Sequence, residues 1–121
     1  MATRRKLTRV EAFTTRDESV IRELLHPGNS PVKNQSLAEA VIRPGQTTRR
    51  HRHRTSEEIY FVTRGQGRMQ LGDESFELGE GEAVLIPPGT PHCIHNTGDQ
   101  PLHILCMCAP AYSHEDTELL D

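Results

Sequence analysis

Residues 45–65 of the chain read GQTTRRHRHRTSEEIYFVTRG, and this segment carries the clearest structural signal in the sequence. Near its centre, His51 and His53 alternate with arginines. Side chains two positions apart on a β-strand lie on the same face, so both imidazoles point the same way and can chelate a metal ion. Five residues after His53, Glu58 opens the apolar segment 59–62, where a strand can bring its carboxylate to the same site. We therefore predict short strands and a metal site that joins them.

A third imidazole completes the predicted site. His92 follows the turn PPGTP at 87–91, whose prolines stiffen the approach to the histidine. Three imidazoles and one carboxylate suit one divalent transition metal per chain (Mn, Fe, Ni, Co, Cu or Zn) and leave coordination positions for water or substrate. An ion that requires only oxygen ligands, such as Ca²⁺, is poorly matched. The predicted metal ligands are His51, His53, Glu58 and His92.

Two spaced motifs resemble those of the cupin superfamily. They are Gly45-x5-His51-x-His53-x4-Glu58-x6-Gly65 and Gly81-x5-Pro87-x-Gly89-x2-His92-x3-Asn96, which together span about half of the chain. Ten fixed positions at matched spacing make the resemblance specific. It implies a small single-domain jelly-roll barrel of the type labelled sugar-phosphate-isomerase-like, with the same four residues as metal ligands in one mouth. It also implies dimers that pair through N-terminal strands.

The rest of the chain favours an all-β fold. Turn signals such as Pro44-Gly45 and Gly65-Gln66-Gly67 recur at short intervals and separate strand-length apolar segments. A length of 121 residues fits one domain, which we divide into an N-terminal arm with edge elements (1–35), a barrel core (36–110) and a C-terminal tail (111–121). We predict an antiparallel jelly-roll barrel with at most one short N-terminal helix, over 17–25, where Asp17 caps an apolar face.

Composition and charge limit the location and the partners. The longest apolar run, 104–109, is too short to span a membrane, and the basic start has no apolar segment behind it. Three cysteines without a framework spacing favour a reducing compartment. A net charge of -3 gives no electrostatic reason to bind nucleic acid or acidic membranes. We therefore expect a cytoplasmic protein that binds neither.

Four residues are predicted to act on a substrate. Tyr60 lies two positions after Glu58 and faces the same interior, so both are predicted as catalytic groups that move a proton. Arg49 shares the histidine face and can anchor a carboxylate or phosphate, and Tyr112, beyond the last strand, can close the mouth. Both are predicted as substrate-binding residues. The structural alternatives are packing for the two tyrosines and a place at the solvated rim for Arg49.

Three classes of function are compatible with this ligand set: an enzyme, a binding module and a structural metal site. The leading hypothesis is an enzyme that uses the metal as a Lewis acid on a small sugar or carboxylate, in isomerase, lyase or decarboxylase chemistry. If the metal is Fe(II), the same ligands suit a metal-dependent dioxygenase. The alternatives without turnover are a module that binds a sugar or an organic acid, and a metal that only stabilises the fold. A chain of this size can bury an adequate core without metal, which argues against the last.

The chain is also expected to pair with itself. The segment 36–42, SLAEAVI, is predicted as an apolar edge strand, which a monomer must cover or charge. Pairing of two such edges by sheet extension gives a homodimer.

Overall fold

The computed structural model describes residues 2–120, and strands dominate this part of the chain. The strands are β1 Ala12–Thr14, β2 Val20–Leu25, β3 Ser36–Ile42, β4 His51–His53, β5 Glu57–Arg64, β6 Gln66–Leu71, β7 Glu74–Gly79, β8 Ala83–Ile86, β9 His92–Asn96, β10 Leu102–Ala109 and β11 Thr117–Leu119. They form a six-stranded sheet in the order β1-β2-β3-β10-β5-β8 and a five-stranded sheet in the order β11-β4-β9-β6-β7. Each pair of neighbouring strands is antiparallel.

The apolar core joins the two sheets. Val62 and Ile104 enter it from the six-stranded sheet, and Met69 and Ile94 enter it from the five-stranded sheet. All four side chains are at most 1% exposed. Along β5 burial alternates, so that every second residue points inward, as expected for a strand with one face on the core. The prediction of an all-β antiparallel jelly roll is confirmed.

The predicted helix over 17–25 is wrong. Val20–Leu25 is strand β2, which pairs with both β1 and β3, and Asp17 lies in the turn before it. Two β-branched residues, Val20 and Ile21, begin the segment, and partners on both sides satisfy its backbone groups, so the sheet outweighs a weak helical pattern. Within residues 2–120 the helical structure is one 3₁₀ turn at Leu7–Arg9, and no helix there has the length and hydropathy to cross a membrane.

Strand β3 is not the edge strand that the sequence predicts. It lies between β2 and β10 and pairs with both along most of its length. The edges of the six-stranded sheet are β1 and β8 instead. Because β2 and β10 pair with the two sides of β3, its backbone is not free to pair with a second copy of the chain.

Two kinds of motif residue fix the turns around the site. Gly45, Gly65 and Gly81 adopt φ of +80°, +90° and +81°, a region that favours glycine. Asn96 is 1% exposed, and its side-chain amide donates to the carbonyl of Ile42 at 2.9 Å. The amide of Gly45 donates in turn to the Asn96 carbonyl, so the loop that leads into β4 is tied to β9.

Candidate metal centre

Three histidines meet between the sheets. His51 and His53 lie on β4 and His92 lies on the neighbouring strand β9, where it is the register partner of His51. All three are buried, and one ring nitrogen from each can be chosen so that the three atoms lie within 4.8 Å of one another. The alternation of β4 places both of its histidines on the inner face, as the spacing predicts.

Backbone carbonyls orient two of the three rings. His51 Nδ1 lies 2.8 Å from the carbonyl oxygen of Arg49, and His92 Nδ1 lies 3.0 Å from that of Thr90. A carbonyl only accepts, so each Nδ1 carries the proton and each Nε2 keeps its lone pair in the neutral ring. This is the tautomer in which Nε2 binds a metal.

A threonine from the C-terminal segment orients the third ring. His53 Nδ1 lies 3.0 Å from the hydroxyl of Thr117, and that hydroxyl donates to the carbonyl of Ser113 at 2.9 Å. Because its single proton is used on Ser113, the hydroxyl accepts from His53 Nδ1. His53 therefore also directs Nε2 toward the centre of the site.

Glu58 reaches the same centre from the opposite sheet. Its Oε1 lies 3.1 Å from His53 Nε2 and 3.6 Å from His92 Nε2, and its Oε2 accepts from the thiol of Cys108 at 3.3 Å. Glu58 is 5% exposed, whereas its neighbour Glu57 points outward. The predicted carboxylate is therefore the one that faces the histidines.

The ionisable side chains of this cluster shift one another's pKa values. Burial alone would raise the pKa of Glu58, but a hydrogen bond from Nε2 of the protonated His53 imidazole and contacts with His92 hold it well below its ordinary value. A metal that binds His53 Nε2 would displace this proton. Burial likewise opposes charge on His53, yet the bond to Glu58 raises the pKa of that imidazole. His51 has its pKa lowered, first by burial and then by His92. The site therefore holds the Glu58 carboxylate as an anion that faces the ring nitrogens of the three histidines.

One buried atom tests whether a metal fits. His92 Nε2 is shielded from solvent and has no hydrogen-bond partner among the described residues. A buried polar atom without a partner costs free energy, and the cost is removed if the atom binds a ligand. With two further Nε2 atoms and the Glu58 carboxylate beside it, the donor set fits a divalent transition metal.

A small cavity of about 60 Å³ opens beside the histidines. Its lining residues are Phe13, Thr15, Asp17, Ser19, Ile21, Glu23, Ser36, Ala38, Ala40, His51, His53, Tyr60, Cys106, Cys108, Tyr112 and Thr117. The volume is room for several water molecules or a small organic group. The cavity thus connects the candidate metal ligands to residues of strands β1 to β3.

Both predicted tyrosines line this cavity. The ring of Tyr60 lies 6.0 Å from that of His92, and burial, followed by the charge of Glu58, raises its pKa well above the ordinary value. Tyr112 packs edge-on against His53 with 5.8 Å between ring centroids, and burial raises its pKa as well. Both phenols therefore stay protonated at neutral pH, so each has a proton to donate.

The side chain of Arg49 lies away from the cavity. Its side chain is 41% exposed, and its Nε is 4.0 Å from a carboxylate oxygen of Glu18. Arg49 is not among the residues of the described chain that line the cavity. Substrate binding by Arg49 stays a prediction, for which the cavity offers no support.

Two residues of the site are missed by reading the motifs. Asp17 lines the cavity with one carboxylate oxygen 3.9 Å from His51 Nε2, although the sequence suggested a helix cap. Thr117 bonds to His53 from strand β11, which pairs with β4 but lies in the predicted tail. Neither residue belongs to a spaced motif, and only the pairing of distant strands brings them to the histidines.

The comparisons with known proteins agree with this fold. The profile of the cupin domain matches residues 38–108. The chain therefore belongs to the cupin family.

Three relatives show how the family resemblance extends over the chain. Uncharacterized protein MJ1618 of Methanocaldococcus jannaschii is 50% identical over 113 residues, which are 93% of this chain and 90% of that protein. Protein SchB of Streptomyces halstedii is 33% identical over 106 residues, 84% of this chain and 77% of its own. The structure of the polyketide cyclase RemF from Streptomyces resistomycificus superimposes with a TM-score of 0.84 at 25% identity, over 100% of this chain and 87% of that one.

Proposed function

We propose that this cupin is an enzyme that uses one divalent transition metal as a Lewis acid on a small polar organic substrate, in isomerase or lyase chemistry. The observation that carries the proposal is the unpartnered, buried Nε2 of His92 beside two other oriented histidines. Buried polar atoms in a core that serves packing alone are as a rule hydrogen-bonded, so an unpartnered one beside two further ring nitrogens favours a ligand-binding site. The ligands would be His51, His53, Glu58 and His92.

Glu58 and Tyr60 differ in charge and therefore suit different roles. Glu58 is held as an anion, which suits it to bind the metal rather than to donate a proton. Tyr60 is protonated and lines the cavity, so it is placed to donate a proton to an oxygen of the substrate or to return one. When bound, the metal supplies polarisation of a carbonyl or hydroxyl oxygen and so stabilises negative charge on the substrate.

One relative supports a lyase or cyclase type of reaction. RemF is a polyketide cyclase, and its structure matches this chain over the full length of this chain. Cyclisation, isomerisation and elimination share the need to stabilise an enolate-like anion and to move a proton. If the bound metal is Fe(II), the dioxygenase alternative gains support instead.

Proton exchange tests catalysis without knowledge of the natural substrate. Protein reconstituted with Zn²⁺ is incubated with hydroxyacetone in D₂O, and proton NMR follows loss of signal at the carbons beside the carbonyl. We expect exchange faster than with free Zn²⁺ or metal-free protein, and at least about a hundredfold slower in Tyr60→Phe. Binding of hydroxyacetone with no enhanced exchange would favour the non-catalytic binding module.

A further inference from the structure

The turn between β1 and β2 holds a carboxylate in a fixed orientation at the cavity. Asp17 Oδ1 accepts three hydrogen bonds, from the Thr15 hydroxyl at 2.5 Å, the Ser19 hydroxyl at 2.6 Å and the Ser19 amide at 3.0 Å. The second oxygen, Oδ2, takes part in none of these bonds and lies 3.9 Å from His51 Nε2. Asp17 therefore presents one oxygen toward the histidines while the other secures the side chain.

The backbone of the same turn is tied to the strand that carries the histidines. The amide of Arg49, two residues before His51, donates to the Asp17 carbonyl at 2.9 Å. Glu18 adopts a φ of +74°, a conformation that is uncommon outside glycine and that surrounding contacts must maintain. The position of Asp17 relative to His51 is thus built into the fold.

Apart from the two histidines and the metal that they would hold, the ionisable side chains of the cavity wall that can carry a charge at neutral pH are acidic. Asp17 and Glu23 line it, and none of the lining residues in the described chain is lysine or arginine. Two arginines of nearby segments turn to other groups: Arg16 donates to the carbonyls of His114 and Thr117, and Arg49 lies beside Glu18. An anionic ligand at the metal would therefore also meet these two carboxylates, and no lysine or arginine among the described lining residues offsets their repulsion.

The remainder of the wall is largely apolar. Phe13, Ile21, Ala38 and Ala40 line the cavity opposite the histidines, and Phe13 is 41% exposed at its edge. Apolar groups favour a ligand whose body carries no charge, since burying a charge against them is costly.

We propose that Asp17 contacts the substrate directly and selects an uncharged, hydroxyl-bearing molecule over a carboxylate or phosphate of the same size. A substrate hydroxyl donates to Asp17 Oδ2, while an anionic group is repelled by Asp17 and Glu23. The inference rests on the proposed function and chooses between its two expected substrate classes, in favour of the neutral, sugar-like one.

Two ligands of nearly equal size test this selection. Hydroxyacetone and glycolate both carry a hydroxyl group beside a carbonyl carbon, but only glycolate is an anion. Each is titrated into Zn²⁺-loaded protein and into metal-free protein, and the dissociation constants are read from the backbone amide shifts of residues 17–19. The measured quantity is the ratio of the glycolate constant to the hydroxyacetone constant, and its change between wild type and variant is compared, because the intrinsic affinity of a carboxylate for zinc is common to both proteins and cancels in that change.

Asp17→Asn is the informative variant, because its amide oxygen can still accept from Thr15 and Ser19 while the charge is lost. We expect the ratio to fall about tenfold in this variant. Glu18→Gln is the matched control, since it removes the same charge from an adjacent residue that does not line the cavity. In Glu18→Gln the ratio should change by less than about twofold.

The outcomes separate the two proposals. Failure of the wild type to retain Zn²⁺ would overturn the proposed function, while the ratio would still be measured on the metal-free protein. An unchanged ratio in Asp17→Asn, an equal change in Glu18→Gln, or no binding of hydroxyacetone to the wild type would overturn the role of Asp17.

Discussion

Thr117 has no part in the predicted ligand set, yet it decides how one of those ligands is oriented. Its hydroxyl accepts from His53 Nδ1 because its own proton is used on Ser113. Substitution by valine keeps the shape and removes the acceptor. We expect Thr117→Val to weaken metal binding by about tenfold to a hundredfold, measured by competition with a chelating dye.

The chain offers a matched control for this change. The hydroxyl of Thr47 lies 2.7 Å from Nδ1 of His95, a similar pair on the outer side of β9. Thr47→Val should leave metal affinity within about twofold of the wild type, because His95 is not in the cluster. Equal losses in both variants would mean that Thr117 acts through general stability rather than through the orientation of His53.

At the residue scale, the sequence predicts well where strand alternation applies. His51, His53 and Glu58 lie on strands whose inner faces follow from a period of two, and each faces inward as expected. Asp17 and Thr117 could not be found in this way, since one lies in a turn and the other on a three-residue strand outside the motifs. Their places depend on pairing between segments that are far apart in the chain.

At the scale of the elements, the two turn glycines of the first motif, Gly45 and Gly65, differ in how much stability an added methyl group should cost. Gly65 and Gly45 both have positive φ, but a Cβ at Gly65 would lie 3.0 Å from the Pro101 carbonyl oxygen, whereas a Cβ at Gly45 would meet no other residue of 2–120 within 4 Å apart from its chain neighbours. We expect Gly65→Ala to lower the free energy of unfolding by about 2 to 3 kcal/mol and Gly45→Ala by about 1 kcal/mol. Urea unfolding measures both, and equal losses would contradict the predicted contact with Pro101.

The connection between β4 and β5 depends on a carboxylate of the C-terminal segment. Asp116 accepts from the amide and hydroxyl of Thr55 at 2.9 and 2.8 Å and from the Ser56 amide at 3.1 Å. Burial alone would raise the pKa of Asp116, but these hydrogen bonds lower it below the ordinary value. A carboxyl group whose pKa is lower in the folded state stabilises the protein above its unfolded pKa, and this contribution is lost as the pH falls through the folded pKa.

The sign of this effect gives a pH prediction. At pH 7 we expect Asp116→Asn to lower the free energy of unfolding by about 1 kcal/mol, a modest value because the carboxylate is largely solvated. The difference from the wild type should shrink below about pH 4 as the wild-type carboxyl is protonated. Asp73→Asn, in an exposed turn, serves as the control. A difference that grows on acidification would contradict the assignment.

Strand β2 shows where prediction of an element fails. The segment carries apolar residues at positions that suit either a helix or a strand, and it is too short for periodicity to decide. In the structure Ile21 and Glu23 both line the cavity, as alternate residues of a strand do. Strand β3 pairs with this segment along its length. Pairing with β1 and β3 makes this segment a strand, and the local sequence pattern holds no information about those partners.

For the molecule as a whole, the predicted homodimer stays a prediction, and the outer face of the six-stranded sheet is a better candidate surface for it than the edge of β3. Leu85, Ile59, Met107 and Leu37 are register partners across four strands, on the outer face of the six-stranded sheet. Ile59 is 38% exposed and Leu85 is 52% exposed. A continuous apolar row of this kind is typical of a surface that pairs with a second copy of the chain.

Sedimentation velocity tests this surface. We expect the wild type to sediment as a dimer and Ile59→Glu to weaken self-association by more than about tenfold, because a charge would be buried against the partner. Gln70→Glu, an exposed position on the five-stranded sheet, should leave it unchanged. A wild type that stays monomeric at all concentrations would contradict the prediction.

The metal site is the feature that unites the fold, the motifs and the proposed chemistry, and metal content tests it most directly. The protein is purified without an affinity metal column and measured by elemental mass spectrometry beside a His51→Ala, His92→Ala double variant and a His95→Ala control. We expect about one equivalent of a divalent transition metal in the wild type and in the control, and none in the double variant. A wild type that remains metal-free after reconstitution with each candidate metal, or a double variant that retains its metal, would contradict this expectation.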